Sequence, residues 1–167
     1  MVRIDRLSPQ DDQRSRSIRL RALQDAPDSF GSTFEAEAAF TQEDWRRRLA
    51  RSDAVTFVAS EEGDDIGIVV GIADPDHPGE AVLVALWVAP ETRGRRVGEA
   101  LGQSVIDWAR SEGYKAVRLA VADHNASAQR LYERMGFVST GTVDKLPPPR
   151  THITEHERRL ELLGHCG

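Results

Sequence analysis

A single α/β domain is the expected fold. Three features point to it: an apolar run at 82–88 with no polar interruption, a 3.6-residue apolar repeat starting at Val97, and an alternating run at 116–122. A strand, a helix and a second strand in such close order, followed by an Asn-to-Tyr helix that ends at Gly136, describe the walls of a cofactor groove. The 167 residues are of ordinary single-domain size, can bury a substantial core and leave no room for a second full domain.

Residues 2–7 alternate like a first strand. Ser8-Pro9-Gln10-Asp11 supplies a cap, a first-turn proline and early acid for a helix that Ile18, Leu20, Ala22 and Leu23 carry to about Ala26. Residues 28–34 read as a loop holding two exposed phenylalanines, Phe30 and Phe34, and Thr41 caps a second short helix running to about Ala50. Residues 55–60 and 66–73 form a hairpin around 61–65, and a turn at 74–79 leads into the apolar run. That run suits a central strand buried on both faces, and Pro90, with no N–H to give, ends it. Val97, Leu101, Val105, Trp108 and Ala109 make the apolar face of the next helix, while Val117, Leu119 and Val121 alternate along the following strand. Asp123-His124-Asn125 caps a helix from Ala126 to Met135, which Gly136 closes. A strand to about Val143, a Pro-rich stretch at 145–150 and a last strand from about Thr154 to Leu162 complete the sheet.

Glu91-Thr92-Arg93-Gly94-Arg95-Arg96-Val97-Gly98 joins the apolar strand to the helix. Glycines there permit positive φ and close approach of an anion, and the helix's first N–H groups lack internal partners at the positive end of its dipole. Arg93, Arg95 and Arg96 add positive charge to a chain of net charge −5, so the local signal is a diphosphate site. Taken alone, the turn could equally be an ordinary connection with arginines on a solvated face. Neither Gly-x-x-x-x-Gly-Lys-Ser/Thr nor Gly-x-Gly-x-x-Gly occurs, which removes the two common nucleotide loops. Asn125 and Tyr132 are seven residues apart, nearly two helical turns, so an amide and a phenol face one wall together.

Leu86-Trp87-Val88-Ala89-Pro90, the Arg/Gly turn and Asn125…Leu131-Tyr132-Glu133-Arg134-Met135-Gly136-Phe137 together resemble the GCN5-related N-acetyltransferase superfamily, most strongly over residues 83–141. The resemblance implies a mixed, centrally splayed β-sheet flanked by helices. It implies one N-acetyltransferase domain over 1–167, with a cofactor-binding core at about 82–141 and acceptor-side helices at about 8–51. Acetyl-CoA would be the co-substrate. The main chain of Leu86, Trp87 and Val88 would pair with its pantetheine arm. The Arg93 turn and the amides of Gly94, Arg95, Arg96, Val97, Gly98 and Glu99 would hold its pyrophosphate. Asn125 would contact the arm, and Tyr132 would protonate the departing thiolate. Arg96 departs from the pattern, standing where the superfamily has the turn's first glycine; a left-handed backbone there costs about 1–2 kcal/mol.

Acyl transfer to an amine needs the amine neutral, the carbonyl polarised and the thiolate protonated as it leaves. A main-chain N–H at the Trp87–Val88 strand end would polarise the carbonyl, and Tyr132, protonated at rest, would donate. Positions where superfamily members often carry a catalytic carboxylate look like Val82 and Ala120, neither of which takes a proton. Glu35, Glu37, Asp123, His124 or a water chain remain as bases. Phe30, Phe34 and Trp45 either shape an acceptor pocket or pin the helices to the sheet.

The expected activity is direct acetyl transfer to a primary amine, a small molecule. The alternatives are a peptide N-terminal acetyltransferase and a non-catalytic acyl-CoA-binding or sensing domain; a third class is an interaction module that pairs through its sheet edge. Cys166 is the only cysteine, so there is no internal disulfide, and its place next to last argues against a cysteine acyl-enzyme. His152, His156 and His165 lack the companion ligands and spacing of a metal site. The negative charge argues against nucleic acid and suits a cationic amine, and no apolar run is long enough to span a membrane. The expectation is a soluble cytoplasmic protein, monomer or homodimer.

Overall fold

The computed structural model describes residues 1–93 and 96–162, so Gly94, Arg95, His165 and Cys166 lie outside the described residues. The strands are β1 (Val2–Arg6), β2 (Ala54–Glu61), β3 (Asp64–Ala73), β4 (Ala81–Val88), β5 (Ala116–Ala122), β6 (Val138–Lys145) and β7 (Thr154–Glu161). The helices are α1 (Asp12–Asp25), α2 (Phe34–Ala38), α3 (Gln42–Ala50), α4 (Val97–Ser111) and α5 (Ala126–Arg134). The strands form one mixed sheet in the order β1-β2-β3-β4-β5-β7-β6.

Local chemistry sets most boundaries where the sequence places them. Ser8 with Asp11, and Thr41 with Asp44, close reciprocal capping boxes at the entries to the first and third helical segments. The β2–β3 hairpin turns through Glu62 and Gly63, both at positive φ, as a two-residue turn matched to the strand twist requires. Gly136, at φ +97, ends α5.

Helix α4 lies close on β3 because that strand offers glycines instead of side chains. A Cβ at Gly67 would meet Leu101 Cδ1 at 2.8 Å, and one at Gly71 would meet Val105 Cγ1 at 2.9 Å and the Trp108 ring at 3.0 Å. Leu101, Val105, Ile106 and Trp108 are thereby buried against the sheet.

The sheet is continuous except at its centre. β4 and β5 run parallel and pair only through Ala81↔Val117 and Val82↔Arg118, after which they diverge. Ala85, at φ +59, forms a bulge against β3, where the register shifts between Ile68 and Val70. At the closed end Arg118 binds Glu80 Oε1 at 2.7 Å and Glu157 Oε1 at 2.9 Å, while Arg159 reaches Glu80 Oε1 at 3.1 Å. These ties staple the two halves where the strands still pair.

Two elements differ from the sequence reading. β4 is not buried on both faces: Val84 is 37% exposed, because the strand borders an open gap and not a complete sheet. The stretch after residue 33 is helical as α2, Thr33 Oγ1 accepting the N–H of Ala36 at 3.2 Å, and Phe30 is core, 5% exposed. Every residue of β6 is exposed, as befits an edge strand. No helix among the described residues is long and apolar enough to cross a membrane.

Gly71→Ala should destabilise the fold by about 1–3 kcal/mol, the range for overpacking a tight core, since two α4 side chains must move. Urea unfolding midpoints of the two proteins measure it.

Candidate functional site

The gap between β4 and β5 opens into a cavity of about 840 Å³. Its walls are residues 83–88 of β4, Ala120, Val121 and Ala122 of β5, the start of α4, and Asn125, Ala128, Leu131 and Tyr132 around α5. Asp25, Ala26 and Ser29, at and beyond the end of α1, lie over it. The sequence-derived residues Leu86, Trp87, Val88, Arg93, Arg96, Val97, Gly98, Glu99, Asn125 and Tyr132 all line this one cavity.

Ala89 donates its N–H to the Ile66 carbonyl at 2.8 Å, so by strand alternation the Val88 main chain faces away from β3, toward the gap, while that of Trp87, in register with Ile68, faces β3 and not the gap as the resemblance implies. There the Val88 carbonyl accepts from Arg93 Nε at 3.0 Å, and Arg93 Nη2 binds Asp25 Oδ2 at 3.0 Å. The indole N–H of Trp87 also donates to Asp25 Oδ2, at 2.8 Å, with Arg21 stacked 5.3 Å from its ring. Arg93 thus clamps the strand end to α1, and Asp25 offsets part of its charge.

At the mouth of the cavity Arg96 adopts φ +62, ψ +20 and is the N-cap of α4. The left-handed backbone expected of the turn is therefore present on an arginine. Its guanidinium points out and pairs with Glu99 at 3.1 Å. A Cβ at Gly98 would meet Leu131 and Val88 at 3.5 Å, ordinary contact, so the glycine keeps the first turn of α4 bare without being needed to avoid a clash. Arg130 and Arg134 of α5 line the same cavity, and Arg134 reaches Glu99 in the first turn of α4 at 3.6 Å, so arginines gather near a helix N-terminus. The sequence reading missed both, although 127, 130 and 134 fall on one helical stripe beginning two residues after Asn125.

Asn125 caps α5, its Oδ1 accepting the N–H of Ala128 at 3.2 Å, which leaves its amide N–H groups for the groove. Tyr132 is 6% exposed, edge-on to Phe137 with centroids 5.8 Å apart. Its hydroxyl bonds no other described residue, and burial pushes its pKa well above that of a free phenol. It stays protonated across the working range.

The candidate bases sort clearly. Glu37 is fully buried, held by Arg19 Nε and Nη2 at 2.9 Å each and by Arg48 Nη1 at 3.2 Å. Burial alone would raise its pKa, but the two arginines prevail and hold it at about 2, far too low for a base. Glu35 is exposed on α2 and does not line the cavity. Asp123 pairs with His156, and His124 is exposed at the cavity's edge. Glu155, which the sequence reading did not single out, lines the cavity from β7. Trp45 and Phe30 are packed in the core and not in the cavity wall, and Arg48 lies 5.1 Å from the Trp45 ring.

On the far side Arg150, in the β6–β7 loop, donates to the carbonyls of Pro27, Phe30 (2.6 Å) and Gly31 (3.3 Å). This joins the loop to the segment after α1 that overhangs the cavity. Among the described residues no group of three or more His, Cys, Asp or Glu is placed to hold a metal ion.

The fold is that of acetyltransferases, and the chain belongs to the acetyltransferase (GNAT) family, whose model matches residues 19–137. Among its relatives is the mycothiol acetyltransferase of Thermomonospora curvata, 34% identical over 118 residues that cover 68% of this chain and 39% of that one. A GCN5-related N-acetyltransferase from Kribbella flavida superposes with a TM-score of 0.72 at 27% identity, covering 96% of this chain and 98% of that one. A Salmonella typhimurium protein solved with its cofactor acetyl-CoA has the same fold, with a TM-score of 0.78 at 17% identity, over 100% of this chain and 97% of that one. The chain spans between about a third and just over half of the length of the curated relatives it matches.

Two outcomes follow from this geometry. Glu37→Gln should lose about 3–5 kcal/mol at pH 7 by leaving Arg19 and Arg48 without their buried partner. Because the folded pKa of Glu37 lies below the ordinary 4.5, its stabilisation is complete above that value and fades as pH falls toward about 2. Urea stability of the native protein should therefore drop over that window, and the variant should lack Glu37's share of the drop. Arg96→Gly should raise stability by about 1 kcal/mol by relieving the left-handed backbone, read as a higher urea midpoint.

Proposed function

We propose that this chain is an acetyl-CoA-dependent N-acetyltransferase that acts on a primary amine by direct transfer in a ternary complex. The observation that carries this reading is the gap between β4 and β5, with an unpaired strand edge, the α4 N-terminus and the Tyr132 hydroxyl on one cavity. Acetyl-CoA supplies the activated acetyl group as a thioester. The donor set fits it. Main-chain groups of Leu86 and Val88 lie along the open strand edge, Asn125 offers an amide beside them, and Arg96, Arg130 and Arg134 gather near the bare first turn of α4 where a diphosphate would seat.

Tyr132 donates its hydroxyl hydrogen to the sulfur as negative charge develops there. Its raised pKa makes outright ionisation unfavourable, so the donation is effective only when a proton from the reacting nitrogen replaces the one given up. Arg150 fixes the segment after α1 that lines the cavity, and a wall held in this way suits a small-molecule amine better than an extended peptide. We take the acceptor to be such an amine.

The first test is release of free CoA thiol from acetyl-CoA across polyamines, aminoglycosides, amino acids and free-N-terminus peptides. Turnover with a small amine is expected; binding of acetyl-CoA with no amine-dependent release would establish a binding domain instead. Tyr132→Phe should lower turnover about 100-fold or more while acetyl-CoA affinity stays within about two-fold, since the hydroxyl acts on the leaving sulfur and not on the bound arm. Steady-state kinetics and calorimetric titration separate the two effects.

A further inference from the structure

Glu155 is a half-buried carboxylate in the cavity wall with no hydrogen-bond or ion-pair partner among the described residues. The other two deeply placed glutamates, Glu37 and Glu80, are each held by two arginines. Sequestering a carboxylate without a partner is costly, so its retention beside a cleft calls for a role there.

Its position follows from the register. Directly opposed residues of antiparallel strands share a face, and Glu155 stands opposite Ala122, Glu157 opposite Ala120 and Arg159 opposite Arg118. Helix α5 lies on the other face, where Arg158 donates to the Phe137 carbonyl at 3.1 Å and a Cβ at Gly136 would meet Leu160 at 3.4 Å. Tyr132 and Glu155 therefore reach the cavity from opposite faces of the sheet. At the offset set by Ala81↔Val117 and Val82↔Arg118, Ala122 comes level with Leu86, next to the bulge at Ala85. Glu155 sits one strand over at that height.

We propose that Glu155 is the general base of this acetyltransferase, removing a proton from the acceptor ammonium on the face of the sheet opposite Tyr132. The proposal rests on the N-acetyltransferase reading above. Glu155 takes one proton from the ammonium, which frees the nitrogen lone pair to form the C–N bond as the C–S bond breaks. Tyr132 gives its proton to the sulfur and regains one from the nitrogen, and Glu155 releases its proton to solvent. One ammonium and one thioester thus become one amide, one thiol and one solvent proton.

The surroundings of Glu155 favour this use. Burial pushes its carboxyl pKa up, and Asp144, its register partner on β6, pushes it further, narrowing the gap to an amine near 10.4. Of the other charged groups nearby, Glu157 is taken by Arg118 and Thr140, Asp123 by His156, Asp25 by Trp87 and Arg93, and Arg150 by main-chain carbonyls. His124 lines the cavity from the loop after β5. No described arginine or lysine pairs with Glu155, so it is free to accept a proton.

The test compares Glu155→Gln with the native enzyme as kcat/KM for the best amine from pH 6 to about one unit above that amine's own pKa. The native enzyme's amine-dependent turnover is the control; its absence would overturn the transferase reading and the base with it. With turnover present, the variant should be about 100-fold slower near pH 7 and approach the native rate above the amine's own pKa, where no base is needed. Acetyl-CoA affinity should be unchanged. A deficit of the same size at every pH, or no deficit at pH 7, would overturn the assignment. If Glu155→Gln loses acetyl-CoA affinity, Glu155→Ala titrated with formate decides: recovered turnover supports the base, and none overturns it.

Discussion

β4 and β5 pair through only two residues each before they part, and the functional geometry hangs on that early break. Parallel neighbours that separate leave two rows of main-chain donors and acceptors facing a gap, and such groups must find partners. Water can supply them, but an extended amide-bearing ligand matches a strand edge better. The break is held from several sides. Arg118 and Arg159 gather Glu80 and Glu157 at the closed end, Leu83, Gly102 and Met135 meet beneath it, and Arg93 caps the free carbonyl of Val88 at the open end. With both ends fixed, the gap between them is a defined slot.

The charged groups divide by the same geometry. Glu37 and Glu80 are both held at a pKa of about 2 by paired arginines, and both tie elements together: Glu37 joins α2 to α1 and α3, Glu80 joins β5 to β7. Such buried pairs fix which elements meet more than they add net stability. In the cavity the balance is reversed. Tyr132 and Glu155 have raised pKa values and no described partner, so their protons remain available for exchange. Arginine is spent freely on structure, and the two groups suited to move protons are left unpaired.

What was legible in the sequence was local. The strand at 82–88, the turn, the Val97 repeat and the Asn125-to-Gly136 helix each carry their signal within a dozen residues, and one contiguous segment supplies most of the groove. Arg96 could be marked as a departure only through the resemblance, which puts a glycine at that position, and the left-handed backbone is there. Glu155 was not legible. It borders the groove only because β7 inserts between β5 and β6, a pairing set by tertiary topology that no window of sequence contains. Asp25 and Arg150 were missed for the same reason, as their partners lie 62 to 123 residues away. The exposure of Val84 was misjudged because an all-apolar strand reads as a complete sheet's centre when it borders a cleft instead.

Backbone strain shows where the fold yields to function. Among the described residues three non-glycines have positive φ: Glu62, Ala85 and Arg96. Glu62 sits in the β2–β3 hairpin turn, where that conformation follows from the strand twist. Ala85 and Arg96 have no such excuse, and both line the cavity. A glycine would serve either backbone at less cost. At Ala85 the bulge re-aims the strand beside the gap; at position 96 an arginine keeps a guanidinium beside the bare turn of α4, which glycine cannot offer. Two strained residues at opposite ends of one slot, each tolerated by a core that packs well elsewhere, are what a binding groove produces when ligand contacts are favoured over local stability.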